Sequence, residues 1–149
     1  MLFAAATPAD ARQTIGAYKA WASFRDQRPN RCFAIAAPIV PGGSAFASVS
    51  NWPARRVAGQ VHFRLYREAR AGSAILLSID GRVFQLVGRG ADAWAPNRSA
   101  DRAIVAAIRT GVTMAISARD ARGNGFTHAY ALGGAASAID AAALACRRG

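Results

Sequence analysis

Apolar and polar positions alternate with period two through much of the chain. Val61, Phe63 and Leu65 fall on one side of an extended segment, and His62, Arg64 and Tyr66 on the other. This pattern predicts a half-buried strand over 61–66. Two further apolar runs, 74–79 and 82–87, flank Asp80-Gly81, a pair suited to the left-handed backbone of a type I′ hairpin. Residues 112–118 alternate again through Val112, Met114 and Ile116. The turn-forming stretch 120–125 then leads to a partner strand over 126–132. Near the start, apolar runs at 20–24 and 32–37 are joined by Arg25-Asp26-Gln27-Arg28-Pro29-Asn30, which reads as a turn between strands. A short edge piece is expected at 93–96. Residues 38–58, rich in Pro, Gly and Ser, are expected to be mostly loop, with Trp52 as a partly buried anchor.

Two stretches follow the helical period. Ser99 caps a segment with Asp101 in its first turn and Ile104, Val105 and Ile108 at helical spacing, ended by Gly111. After Gly133-Gly134, the alanine-rich run 135–146 predicts a final short helix able to present Cys146 to the sheet. The expectation is an all-β (mainly β) protein: a β-sandwich of about seven or eight strands with one or two short helices. Tight turns between strands oppose βαβ units. No repeat or linker divides the chain, so 12–149 is read as one domain and 1–11 as a separate N-terminal remnant.

Composition changes this picture in three respects. First, the 149 residues are 52% hydrophobic and 18% charged, the balance of a globular chain. The longest uncharged stretch, 32–54, is broken by prolines and glycines and cannot form a membrane-spanning helix. Second, the net charge is +11, carried almost wholly by arginine, with Lys19 the single lysine. Such a charge suits an anionic partner, although scattered arginine also follows from a GC-rich genome. Arg64, with Arg55, Arg56, Arg67 and Arg70 near it in sequence, forms the candidate anion-binding set, suited to lipopolysaccharide or phospholipid head groups. No basic run or known motif points to nucleic acid. Third, Ala9-Asp10-Ala11 resembles the end of a signal peptide, but the segment before it is short and lacks a basic start. A truncated signal and an ordinary N-terminus are both open readings.

Cys32 and Cys146 lie too far apart for a CxxC pattern. In an exported protein they would form one disulfide; two buried free thiols are the other reading. His62 and His128 both read as surface residues. No Gly-x-Ser-x-Gly elbow is present, and the few carboxylates fall mostly at turns and caps. Gly88-Arg89-Gly90-Ala91 lacks the rest of a phosphate loop and reads as a loop after a strand. Trp21, Trp52 and Trp94 could form a surface, but isolated tryptophans are more often packing residues. No catalytic residue, metal site or cofactor is expected.

Several of these stretches together resemble the invasion-associated locus B family. They are Trp21-Ala22-x-Phe24 followed by Cys32, the strand pair around Asp80-Gly81, and above all the C-terminal third. That third holds Ile104-Val105-Ala106-Ala107-Ile108-Arg109-x-Gly111, Met114-x-Ile116, Ala121-Arg122-Gly123, Tyr130-x-Leu132, Gly134 and Ala138-x-Asp140-Ala141. The resemblance covers most of 17–146. It implies an immunoglobulin-like β-sandwich exported to the periplasm or surface of a Gram-negative bacterium, and it carries over no catalytic residue. The expected role is non-enzymatic: an interaction domain for another envelope component, either a protein or an anionic lipid.

Overall fold

In a computed structural model, residues 12–147 are described; the Ala9-Asp10-Ala11 pattern and the 1–11 segment lie outside them. The elements run β1 (Gln13–Tyr18), β2 (Trp21–Gln27), β3 (Asn30–Ala36), β4 (Phe46–Trp52), β5 (Val57–Arg64), β6 (Ile75–Ile79), β7 (Arg82–Arg89), β8 (Asp92–Trp94), α1 (Arg98–Thr110), β9 (Thr113–Arg119), β10 (Gly125–Ala131) and α2 (Ala135–Arg147). The strands pair antiparallel in one sheet, ordered β1-β2-β3-β4-β5-β8-β7-β6-β9-β10. The fold is all-β, as the alternation predicts, with ten strands among the described residues instead of seven or eight.

The sheet folds over so that its two halves share one core. Phe63 of β5 meets Tyr130 of β10 with ring centroids 6.4 Å apart. At the rim, the Trp21 indole N–H donates to the Ala131 carbonyl at 2.9 Å, and the Ile39 N–H donates to the Ala129 carbonyl at 2.8 Å. Ala34, Val49, Val61, Leu77, Ile104 and Ile116 fill the space between the halves. Helix α2 presents alanines to the sheet, and their small side chains allow a close approach. The buried Ser23 hydroxyl reaches the Ala138 carbonyl at 2.6 Å. Arg109 of α1 forms an ion pair with Asp140 of α2. Cys32 of β3 and Cys146 of α2 form a disulfide, with Cα atoms 5.8 Å apart.

Several local expectations are met. Asp80 and Gly81 have φ of +47° and +86°, as a type I′ turn requires. Asp80 also accepts hydrogen bonds from the Val112 and Thr113 N–H groups at 2.8 and 3.2 Å, tying this hairpin to the start of β9. Other expectations are corrected. The 38–58 stretch holds β4 and the start of β5, because Ala47 and Val49 point inward between outward Ser48 and Ser50. These small residues give a weak alternation signal. Strand β8 is interior, paired with β5 and β7, and is not an edge piece. The cap of α1 is Asn97, whose side chain accepts the Ala100 N–H at 2.8 Å, and not Ser99.

His128 is not a surface residue. It shares the inward face of β10 with Phe126 and Tyr130 and is 3% exposed. The Tyr66 ring covers it at a centroid distance of 4.2 Å and is itself hydrogen-bonded to the Val40 carbonyl. Neither imidazole nitrogen has a partner among the described residues. Burial lowers the His128 pKa to about 4 and pushes the unpartnered Tyr130 hydroxyl well above its ordinary value.

Candidate functional site

The outward face of β2–β5 and β8 carries the surface best suited to binding. Cross-strand register sets its rows. Phe24, Phe33, Ser50 and Gln60 stand side by side on β2, β3, β4 and β5. The next row is Ile35, Ser48, His62 and Trp94, and the third is Phe46, Arg64 and Asp92. Ser48 and Ser50 of β4 are buried beneath the larger side chains that flank them on this face.

Guanidinium groups and rings alternate about the first row. Arg12 and Arg31 lie over Phe33 at 4.8 and 3.9 Å from its centroid. Arg31 and Arg55 lie over Trp52 at 5.0 and 4.8 Å. Arg12 is also paired with Asp26 at 2.8 Å, and the Arg31 Nε donates to the Ser50 hydroxyl at 3.1 Å. Burial lowers the Arg31 pKa from its ordinary value, with Asp26 opposing that shift. Stacking of this kind holds a long cationic side chain in place and reduces the entropy lost on binding.

The other two rows are organised by Asp92. Its carboxylate meets the His62 Nε2 at 2.9 Å and the Arg64 Nη1 at 2.8 Å. Burial raises the Asp92 pKa, but the hydrogen bonds from His62 and Arg64 outweigh it and hold the carboxyl below its usual range. The His62 ring stacks on Trp94 at 5.2 Å and takes an edge-on contact with Phe46 at the same distance. The hydroxyl of neighbouring Ser48 donates to the His62 backbone carbonyl at 3.3 Å, so it is directed away from the imidazole.

The five candidate arginines do not form one patch. Arg55 and Arg56 sit at the short turn after β4, with Arg55 over the Trp52 ring. Arg64 lies at the far end of β5, roughly 25 Å from Arg56 at strand rise. Arg67 pairs with Asp120 at 2.9 Å, near the β9–β10 turn, and Arg70 is there too, its Nη1 close to Gly123. The sequence reading missed Arg12 and Arg31, which lie far from Arg64 in the chain. An available signal was the run of large rings at outward strand positions, Phe24, Phe33, Phe46 and Trp94, each on the face opposite a core residue.

These features define an all-β, disulfide-tied domain whose most developed surface is an outward aromatic and arginine face. No protein-family model matches the chain, and no curated protein does. Among solved structures, the fold is similar to that of invasion associated protein B from Bartonella henselae. The TM-score is 0.62 and the identity 16%, with 91% of this chain and 99% of that chain covered. The resemblance read from the sequence thus holds at the level of the fold. No helix among the described residues is long and apolar enough to cross a membrane.

Proposed function

We propose that the protein is an exported, non-enzymatic interaction domain of the invasion-associated locus B type, binding an acidic envelope protein through the outward face of β2–β5 and β8. The observation that carries this reading is the alternation of Arg12, Arg31 and Arg55 with Phe33 and Trp52. Tryptophan and arginine dominate binding hot spots because they bring large contact area together with directed hydrogen bonds. Guanidinium groups already held by ring contacts lose little freedom when they meet carboxylates. The disulfide supports export, since such bonds persist in oxidising compartments. The similarity in fold to invasion associated protein B supports the same class.

The test is crosslinking in living cells, with a tagged copy carrying a cleavable leader and a photoreactive residue at position 46. Repeated recovery of one envelope protein, lost on Trp52→Ala with Arg55→Ala, supports the reading. Recovery unchanged by that pair of substitutions overturns it. Recovery of lipid or lipopolysaccharide alone would transfer the face to the second reading, an anion-binding module that uses the arginines of this face. Turnover of ester, peptide or phosphate substrates would overturn the non-enzymatic assignment.

A further inference from the structure

The two sulfurs of the disulfide stand in different surroundings. Cys32 is fully buried in β3. Cys146, in the last turn of α2, is partly exposed and lines a surface hollow of about 360 Å³. The facing wall comes from Asn51 of β4, Pro53 of the turn and Val57 of β5, and two arginines, Arg56 and Arg147, line the same hollow. Both arginines are exposed. Neither forms an ion pair with a carboxylate among the described residues. Arg147 is among the cations that lower the Asp140 pKa, but that carboxylate is already clamped by Arg109.

We propose that Cys146 is an exchange site for carboxylate-bearing thiols, entered through this hollow, with Arg56 and Arg147 holding the carboxylates. Thiol–disulfide exchange requires the incoming thiolate to reach one sulfur in line with the S–S bond. Cys32 is wholly buried, and of the two cysteines Cys146 is the one that lines the hollow. Attack there forms a bond between the incoming sulfur and the Cys146 Sγ and breaks the Cys146–Cys32 bond. The displaced electron pair leaves on the Cys32 sulfur, which takes a proton to become a thiol. One disulfide is lost and one is gained, so no outside oxidant is needed. The Cys32 leaving group is disfavoured by burial and stays beside its former partner, because α2 remains docked through Ser23–Ala138 and Arg109–Asp140. The exchange is therefore reversible and resolves back to the native bond when the external thiol is removed.

The experiment exposes the folded, disulfide-bonded protein to reduced glutathione or to neutral 2-mercaptoethanol, quenches with acid and maps the adducts by mass spectrometry. The expected adduct is on Cys146. Each arginine should accelerate the carboxylate-bearing thiol roughly threefold at low salt, from an attraction across several ångströms of water. Arg56→Gln with Arg147→Gln should then slow glutathione about tenfold and leave 2-mercaptoethanol within about twofold. For the unaltered protein, high salt should lower the glutathione rate relative to 2-mercaptoethanol, a readout that needs no variant. An adduct on Cys32, equal slowing of both thiols, a salt-independent rate ratio, or exchange no faster than global unfolding would each overturn the proposal.

Discussion

Replacing His128 by phenylalanine should remove a defined part of the acid sensitivity of the fold. The imidazole is buried among Tyr66, Phe126 and Tyr130 and has no hydrogen-bond partner among the described residues. Arg67 lies over the neighbouring Phe126 ring, 5.2 Å from its centroid, so this side of the core already carries a positive charge. Burial lowers the ring's pKa from 6.5 to about 4. The unfolded chain therefore takes up the proton first as pH falls. The contribution of a neutral His128 is complete above about pH 6.5 and is lost as pH drops towards 4. Integrated between pH 7 and pH 4, the loss is about 3 kcal/mol. His128→Phe keeps a flat ring in place and cannot protonate. At pH 7 it also removes two unsatisfied nitrogens, so equal or greater stability is expected there. Urea unfolding of both proteins at pH 7, 6, 5 and 4 is the assay. The stability difference, variant minus native, should widen by about 3 kcal/mol across the series. Parallel stability curves would refute the reasoning, because they would mean that the ring is hydrated or partnered.

Three further outcomes test other parts of the fold. Cys146→Ser removes a crosslink spanning 114 residues. It should cost about 4–5 kcal/mol in the chain-entropy account, read as a lowered urea midpoint. Gly134→Ala should abolish soluble expression or cost several kcal/mol: φ is +90° there, and an added Cβ would lie 1.7 Å from the Tyr18 carbonyl oxygen. Asp101→Ala leaves the Val61 N–H, now 3.0 Å from the carboxylate, without its acceptor. It should cost about 1–3 kcal/mol in thermal unfolding, whereas Asp101→Asn keeps an acceptor and should cost much less.

The parts of the fold legible in the sequence were those in which alternation involves large residues. Phe63 and Leu65, Leu77 and Ile79, and Met114 and Ile116 all alternate clearly, and each pair faces the core. Asp80-Gly81 announced its own turn because the two residues tolerate the positive φ the turn requires. Strand β4 was hidden because its core positions are Ala47 and Val49 and its outward positions are serines buried by neighbours. Strand β1 was hidden for a similar reason, being an edge strand with half of its positions exposed. His128 was misjudged because a polar side chain at an inward position is indistinguishable from a phase change in a short strand. The Arg12–Phe33–Arg31–Trp52 stack depends on register across four strands, and no local pattern encodes register.

The charge reads differently once its distribution is known. Scatter imposed by codon usage alone would place arginine on every outward strand face. The outward positions of β6 and of the central parts of β7, β9 and β10 hold no charge: they include Leu76, Ser78, Val83, Val87, Ala115 and Thr127. On that half the arginines keep to strand ends and turns, as Arg82 over Phe84 and Arg67 over Phe126 do, whereas on the opposite half they lie across the outward face, with Arg31 over Phe33, and Asp26 and Asp92 each position a cation there. An acid already paired to an arginine fixes its geometry while leaving other donors of the guanidinium free. On the proposed reading, partner binding should weaken steeply with salt, because the arginines at the rim of this face are exposed to screening. Some affinity should persist at high salt through Trp52, Phe46 and Trp94, since ring burial is not screened. Binding measured across a salt series with Trp52→Ala and Arg55→Ala taken singly separates the two contributions. The arginine change should flatten the salt slope, and the tryptophan change should lower affinity at every salt concentration while leaving the slope intact. An identical response from both substitutions would mean that ring and cation act only as one structural unit, and the surface would then lose its claim to be a charge-reading site.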